Sequence, residues 1–547
     1  REVLQSKQKG DFSWLTSRGK YQDEFLARDA ALLTYHYLNE GYLKVRVDQP
    51  RVYLSRDRKW IFITFKVVEG DPYTLRSIDV EGDILTTKEE LLGKMKVKVG
   101  KLYSRKTVDE DIRTLSALYG DHGYAFTNIN PITIPDEATK TATISYAIDK
   151  GPRVTIEKIN ISGNTITRDK VIRRELRVVE GSLYSETELN SSRQRLQALG
   201  YFEEVNFAMP RGSGDDTIVL NITVKEKPTG TFTIGAGFST VENFIFSSSI
   251  SKNNFFGYGI SGQFSTELSS RRQLFVLSFE DPYFLDSKWI LGISGFRTVD
   301  RYTDFNRDSF GGTLSLGHRF FDYSSVRLTY QAESVNIGHF STIVPAPFEN
   351  TLSGLTSSLG MSVQRDTRDN RLIPKKGSFN QASNEFSGRR LGGDNDFYRL
   401  SLNSRYYYPI FWKVVAKTNA SLGYIQSLND SPVPLFERFF QGGPNSLRGY
   451  YLRSIAPKVQ IPTVPQGNDS EFAIGGDKMV QFNAELEAPL YEPAGFALVT
   501  FYDAGNTFAE DQSFSVTDLR SDYGFGIRWN SPFGPMRFEW GFPINPQ

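Results

Sequence analysis

The sequence contains no cysteine, which excludes a disulfide framework and a thiolate metal site. Its four histidines, at positions 36, 122, 318 and 339, are far apart in the chain, so we expect no metal site, no cofactor and no enzymatic activity. Lysine and arginine number 64 against 63 acidic residues, and this balance predicts no nucleic-acid partner. No stretch approaches the roughly 18 consecutive apolar residues of a spanning helix. The charged start is unlike a signal peptide, so we expect a mature or trimmed chain.

Aromatic residues and glycine are abundant instead. The chain has 41 Phe, 27 Tyr and 46 Gly among 547 residues. A chain of this length requires two or more separately folded regions. An aromatic- and glycine-rich composition without a long apolar helix is typical of a transmembrane β-barrel.

The first 230 residues repeat themselves at an offset of about 80 residues. Two full copies align through these pairs: Ile78 with Ile159, Gly82 with Gly163, Gly100 with Gly181, Tyr103 with Tyr184, and Leu115 with Leu196. A trimmed copy precedes them, in which Asp29 and Gly41 match Asp111 and Gly123. We therefore predict a partial repeat over residues 1–70 and full repeats over 71–151 and 152–229.

Each full copy has the pattern of a small β-α-α-β-β domain. In the third copy an alternating strand at Ile159 precedes a helix for which Thr167 is the N-cap candidate, and Leu189 and Leu196 form the apolar stripe of a second helix. Such a sheet leaves an edge strand to which an extended peptide can add. We expect these repeats to contact clients or docking partners. The alternative is that they are spacers.

From residue 230 to 547 the period changes to two. Apolar and aromatic residues alternate with polar ones, for example Phe232 and Ile234 with Thr231 and Thr233. A soluble sandwich alternates in the same way, but the polar face here is rich in Arg and Glu, and aromatics cluster at strand ends. We predict an outer-membrane β-barrel of about 16 strands.

Four loop and strand motifs resemble the BamA family of outer-membrane assembly barrels. They are Arg365-Asp366-Thr367-Arg368-Asp369-Asn370, Gly442-Gly443-Pro444-Asn445-Ser446-Leu447-Arg448-Gly449-Tyr450, Tyr502-Asp503-Ala504-Gly505-Asn506 and Ser531-Pro532-Phe533-Gly534-Pro535. The amino-terminal repeats are similar to that family's POTRA domains. The resemblance covers nearly the whole chain, and its motifs occur in the family's order. Barrels of that family end on an aromatic residue that closes the last strand, whereas this chain stops at Gln547, so we expect its last strand to be missing.

The resemblance implies a set of functional residues. In the family, an arginine of loop six reaches into the barrel and pairs with carboxylates on the inner wall. By motif position this loop-six lock would consist of Arg448, Gly449, Tyr450, Glu485 and Asp503. Alternation turns Glu485 to the lumen, whereas Asp503 shares its parity with Ala497, Val499 and Phe501, so its direction is less clear from the pattern. The alternative is an ordinary lumen salt bridge without a functional role.

The resemblance also implies a function without bond chemistry. The chain would be the central subunit of the outer-membrane β-barrel assembly machinery, with its repeats in the periplasm. Clients would enter by strand addition at a lateral seam, the boundary between the first and last barrel strands. The first strand carries Phe232, Ile234, Gly235, Gly237 and Phe238, and its glycines weaken strand pairing. Close packing or sheet curvature is the alternative explanation of those glycines.

The expected partners are unfolded outer-membrane proteins, accessory lipoproteins, lipid and lipopolysaccharide. Two alternative functions remain open on the sequence. One is a translocation-and-assembly paralogue, which typically has three repeats. The other is a two-partner secretion channel, which usually has fewer repeats.

Overall fold

A computed structural model describes residues 4–6, 21, 24–302, 305–340, 352–460, 471–531 and 534–544. The chain divides into two compact units, residues 1–228 and 229–547. Within the described ranges, the helices are all too short or too polar to cross a membrane.

The first unit begins with a short set of elements that corresponds to the trimmed repeat. These elements are α1 (Glu24–Asn39), β1 (Arg46–Val47), β2 (Arg51–Leu54), β3 (Ile61–Thr64) and β4 (Val67–Val68). β1 pairs with β4, and β2 pairs with β3, both antiparallel.

Two full β-α-α-β-β repeats follow. The first contains β5 (Thr74–Gly82), α2 (Lys88–Lys94), α3 (Arg105–Asp121), β6 (Asn128–Asp136) and β7 (Thr141–Asp149). The second contains β8 (Thr155–Ser162), α4 (Asp169–Arg173), α5 (Glu186–Ala198), β9 (Phe202–Ala208) and β10 (Thr217–Glu226). In both, the last strand lies in the middle of the sheet, in the orders β5-β7-β6 and β8-β10-β9. The edge strands are therefore β5 and β6 in the first sheet and β8 and β9 in the second.

The helices of each repeat cover one sheet face and enclose an apolar core. Leu189 and Leu196 of α5 are buried, as the helical stripe predicts, and they pack with Ile159 of the first strand. Leu115, Ile144 and other residues form the equivalent core of the preceding repeat. The sequence repeat therefore reflects two copies of one core.

The turn before α4 differs from the prediction that Thr167 caps this helix. Arg168 occupies the N-cap position, and no side-chain cap bond is made there. The backbone N–H groups of Thr165, Ile166 and Thr167 instead donate to the Glu226 carboxylate at 3.0, 2.9 and 2.6 Å. Burial acts to raise the pKa of Glu226, but these bonds and those from the Thr167 and Thr165 side chains outweigh it and lower that pKa to about 2.

The repeats are joined by a side chain that binds the next repeat. Asn39 at the end of α1 accepts a hydrogen bond from the backbone N–H of Lys106 in α3, at 2.7 Å. At the next junction, the Asp121 carboxylate accepts bonds from the Ser185 hydroxyl at 2.7 Å and the Thr187 N–H at 3.0 Å. The same type of contact therefore recurs at both junctions.

The second unit is one antiparallel sheet of fifteen strands in the described part of the chain. The strands from the amino-terminal side are β11 (Gly230–Ser239), β12 (Asn243–Phe255), β13 (Ile260–Ser269), β14 (Arg272–Asp281), β15 (Trp289–Arg301), β16 (Asn306–Phe320), β17 (Ser324–Gly338), β18 (Ser353–Asp366), β19 (Gly377–Ser387), β20 (Phe397–Pro409) and β21 (Val415–Ser427). The remaining four are β24 (Lys478–Tyr491), β25 (Phe496–Phe508), β26 (Arg520–Ser531) and β27 (Gly534–Pro543). Neighbours in sequence are neighbours in the sheet, with β11 and β27 at its two ends.

A long loop, residues 428–477, connects β21 to β24. It contains a small hairpin of β22 (Lys458–Gln460) and β23 (Glu471–Ala473). This loop carries the Gly442–Tyr450 motif and is called loop six below. We call the sheet face against which it packs the inner face.

The outer face of the sheet is apolar and exposed. On β26 and β27, Tyr523 and Phe525 stand across from Phe542 and Trp540, with ring centroids 5.8 Å apart in both pairs. These aromatic residues are about half exposed. Such a surface suits lipid rather than water.

Candidate functional site

The tip of loop six turns at two glycines and is anchored on the inner face by buried side chains. Gly442 and Gly443 both have a φ of +101°, and a Cβ on Gly442 would collide with the Tyr451 carbonyl oxygen. Leu447 and Tyr450 are buried, and the Tyr450 hydroxyl donates to the Ser521 carbonyl of β26 at 3.2 Å. The glycine turn thus places Arg448 between two buried anchors.

Arg448 makes a two-pronged contact with Asp503 on β25. Its Nε donates to Oδ2 and its Nη2 to Oδ1, both at 2.7 Å. Its Nη1 donates to Glu485 on β24 at 2.6 Å and to Glu539 on β27 at 3.2 Å. The guanidinium also lies 3.5 Å from the centroid of the Phe501 ring. Charge-assisted paired hydrogen bonds of this kind are strong and geometrically specific.

Alternation did not clearly assign the Asp503 side chain to one face of the sheet. In the structure it points to the inner face, where loop six covers β25. Val499, Phe501 and Asp503 are all buried on the inner face, while Tyr502 of the other parity is exposed. The inner face of β25 is apolar here because loop six and the Arg448 guanidinium pack on it. Asp503 is fully buried, and the Arg448 side chain is 8% exposed.

A second arginine, Arg528 on β26, joins the same carboxylates. Its Nη1 donates to Glu485 and to Glu487 at 2.9 Å each, and its Nε donates to Glu539 at 2.8 Å. Lys417 on β21 closes the group with an ion pair to Glu487 at 2.6 Å. Sequence reasoning missed both Arg528 and Glu539 as site residues. Both residues alternate along their strands with aromatic residues of the outer face, and this alternation was the available signal that they point to the inner face.

Glycines allow the loop-six backbone to approach the last two strands. A Cβ on Gly449 would lie 2.7 Å from the Asp522 Cβ of β26. A Cβ on Gly541 of β27 would lie 2.6 Å from the Gly449 nitrogen. Loop six therefore contacts β26 and β27 through its main chain as well as through Arg448.

The first barrel strand carries the other predicted residues. Phe232, Ile234 and Phe238 are 60–67% exposed on the outer face. Gly235 lies opposite Ser247, and a Cβ there would be 2.6 Å from the Ser247 hydroxyl, whereas Gly237 has more room. β11 pairs with β12 along its whole length, and its other edge has no strand partner among the described residues.

The first motif, residues 365–370, forms an ordered turn after β18. Arg368 makes two 2.8 Å bonds to Asp366 and lies 4.9 Å from the Phe379 ring centroid. Gly377 has a φ of +103°, and a Cβ there would collide with the Thr367 carbonyl. Pro532 and Phe533 of the fourth motif, and Gln547, lie outside the described residues.

Comparison with known proteins accounts for both parts of the chain. Residues 73–151 and 154–227 match the POTRA model, described as a surface antigen variable number repeat, and residues 254–547 match the Omp85 superfamily domain. The chain is 31% identical over 551 residues to the outer membrane protein assembly factor BamA of Nitratidesulfovibrio vulgaris, covering 100% of this chain and 68% of that protein. This chain belongs to the BamA family of the Omp85 superfamily.

Further comparisons agree with this membership. BamA of Neisseria meningitidis serogroup B is 26% identical, with 98% of this chain and 72% of that protein covered. The crystal structure of BamA from Haemophilus ducreyi lacking POTRA domains 1–3 has the same fold, with a TM-score of 0.72 and 23% identity over 87% of this chain and 97% of that one. The predicted resemblance and the predicted fold class, POTRA repeats followed by a large all-β barrel, are therefore confirmed.

Proposed function

We propose that this chain is the central subunit of the outer-membrane β-barrel assembly machinery and that it folds and inserts outer-membrane proteins. Its relatives in Nitratidesulfovibrio and Neisseria are named as outer membrane protein assembly factors, and the match to the first extends over the whole chain. This relationship is the observation that carries the proposal. The barrel lies in the outer membrane and the repeats lie in the periplasm.

The chemistry of the proposed function is strand pairing rather than bond making. Among the described residues, the second edge of β11 has no strand partner, and its N–H and C=O groups lie beside an apolar outer face. An incoming client strand satisfies those groups and places its own apolar side chains in lipid. The glycines of β11 contribute no side chains to hold a competing partner strand.

The repeats supply a second kind of edge for clients or partners. β6 contains Pro131 and Pro135, which remove donors from that strand. β9 has no proline and pairs only with β10 among the described residues. We therefore assign peptide addition to β9 in preference to β6.

The remaining partners follow from the proposed role. Unfolded outer-membrane proteins are the clients, accessory lipoproteins bind the repeats, and lipid with lipopolysaccharide surrounds the barrel. No metal, cofactor or nucleic acid takes part in this scheme.

Depletion of the protein in its native host tests the proposal. The readout is the amount of folded porins and other barrels in the outer membrane. A general loss, with unfolded clients in the periplasm, supports the assembly function. Normal bulk barrels with failure of one exported protein or a small client subset would replace it with a secretion channel or a translocation-and-assembly paralogue.

A further inference from the structure

Glu539 connects loop six to the last strand of the described sheet. Four carboxylates contact Arg448 or Arg528, and among them Glu539 is the one carried by β27. Its Oε2 accepts from Arg448 at 3.2 Å, and its Oε1 accepts from Arg528 at 2.8 Å. One carboxylate is thus shared by an arginine of the loop and an arginine of the barrel wall.

Arg528 extends this connection across three strands. From β26 it reaches Glu485 and Glu487 on β24 and Glu539 on β27. Both Arg528 and Glu539 have side chains no more than 15% exposed, so solvent weakens their attraction less than it would at the surface. A shift of β27 relative to β24 must therefore disturb buried charge pairs.

The loop-six main chain lies on the same place. The close approach of Gly449 to Gly541 leaves no room for a side chain between loop and strand. Loop six cannot be lifted without separating this contact and the Arg448–Glu539 pair. The docking of loop six and the position of β27 are consequently linked by packing and by charge.

We propose that Arg528 and Glu539 are positioning residues through which docked loop six holds β27 in place. The meaning of this linkage rests on the proposed function, because β27 belongs to the carboxyl-terminal strands next to which a client strand would add. Release of loop six would loosen those strands, and a tightly docked loop would keep them ordered. The loop-six lock thereby controls the carboxyl-terminal side of the lateral seam.

A substitution at Glu539 should affect β27 without releasing loop six. Without the Glu539 charge, Arg448 keeps its paired bonds to Asp503 and its bond to Glu485. Arg528 keeps Glu485 and Glu487. Loop six should therefore stay docked in Glu539→Gln while β27 loosens.

Hydrogen–deuterium exchange on the full chain in lipid nanodiscs tests this linkage. In Glu539→Gln, amides of residues 534–543 should exchange about tenfold faster than in the wild type, because a buried charged hydrogen-bond partner is lost. Amides of residues 444–452 should change by less than about twofold. In Arg448→Ala both segments should exchange faster, and the double variant should loosen β27 by no more than about twofold beyond Arg448→Ala, since coupled effects do not add.

A matched control is Glu333→Gln. Glu333 on β17 pairs with Arg307 at 2.6 Å, is similarly buried and lies outside the network of Arg448 and Arg528. Its substitution should leave β27 unchanged. An equal effect of Glu333→Gln on β27 would show general destabilisation and overturn the proposal. So would wild-type exchange of β27 in Glu539→Gln, or equal loosening of loop six and β27 in that variant.

A second variant guards against misfolding. Glu539→Asp keeps the charge but shortens the reach to both arginines, so β27 should loosen to a smaller degree than in Glu539→Gln. The reverse order of effects would contradict the linkage.

Exchange is measured without any client. Failure of the linkage therefore leaves client insertion by the wild type intact, whereas failure of the assembly function would appear as absent client insertion with the exchange pattern unchanged.

Discussion

Replacement of Arg448 by alanine should release loop six from the inner face. The substitution removes two bonds to Asp503 and one each to Glu485 and Glu539. It also removes the guanidinium from the Phe501 ring. Asp503 is fully buried, so its carboxylate would lose its principal cationic partner in a site from which water is largely excluded.

The size of the effect follows from that burial. Removing one member of a buried ion pair costs about 3–5 kcal/mol. Glu485 retains Arg528 and is 16% exposed, which favours the lower end of that range. A cost of about 3 kcal/mol corresponds to a shift of more than about a hundredfold between docked and undocked loop six. Arg448→Lys keeps the charge but cannot form the paired contact, so its effect should be intermediate.

Hydrogen–deuterium exchange of residues 444–452 in lipid nanodiscs measures this shift. Arg327→Ala on β17 is the control, because it removes an inner-face arginine from the Ser315 hydroxyl of β16 and from Glu280 of β14, which are not part of the loop-six site. The expected order of exchange rates is alanine, then lysine, then wild type and the control together. Unchanged exchange of loop six in Arg448→Ala would refute the reasoning that its charge pairs hold the loop.

Three further predictions concern the repeats. Glu226→Gln should destabilise the third repeat by about 2 kcal/mol at neutral pH, as measured by urea unfolding of residues 1–228. Folding lowers the pKa of Glu226 to about 2 from an ordinary value of 4.5. The stability advantage of the wild type should therefore be complete above about pH 4.5 and disappear as the pH falls through about 2. Gly163→Ala should cost about 2 kcal/mol or more in the same assay, because φ is +85° and a Cβ would collide with the Val224 carbonyl, whereas Gly181→Ala, at φ +81° in open space, should cost less; equal costs would contradict the steric argument. Asp121→Ala should speed amide exchange at the start of α5 by loss of about 1 kcal/mol of capping, and wild-type exchange there would show that the junction does not depend on this carboxylate.

Much of the fold could be predicted from the sequence because it is periodic at two scales. The aligned glycines Gly82 and Gly163 mark the same turn in two repeats, and both have positive φ with no room for a Cβ. In the barrel, alternation assigns each side chain to a face without knowledge of the partner strand. The sheet has fifteen strands in the described residues, against about 16 expected.

The charged site was only partly predictable for a physical reason. Arg448, Glu485 and Asp503 could be proposed by motif resemblance, and the structure brings them together. Arg528 and Glu539 lie on neighbouring strands whose register depends on pairing between strands, which one sequence does not specify. Asp503 conflicted with alternation because loop six supplies an apolar cover on the inner face of β25, and a cover from a distant loop is invisible to local pattern.

The repeat turns show the same limit. Thr167 has the residue type and position of an N-cap, yet its amide bonds to Glu226, a residue 59 positions away in sequence. Local chemistry predicted that a helix starts here. It could not predict that a strand end from the far side of the repeat would satisfy the turn.

The central claim is that clients enter by strand addition at β11. Because the chain has no cysteine, single cysteines at Thr231, Thr233 or Gly235 can be tested against cysteines along the last strand of a stalled client barrel. We predict disulfides whose client position shifts in step with the position on β11, as a strand ladder requires, and no disulfides from matched positions on β17 in the middle of the sheet. Clients that insert at the normal rate without any register-dependent disulfide to β11 would contradict it.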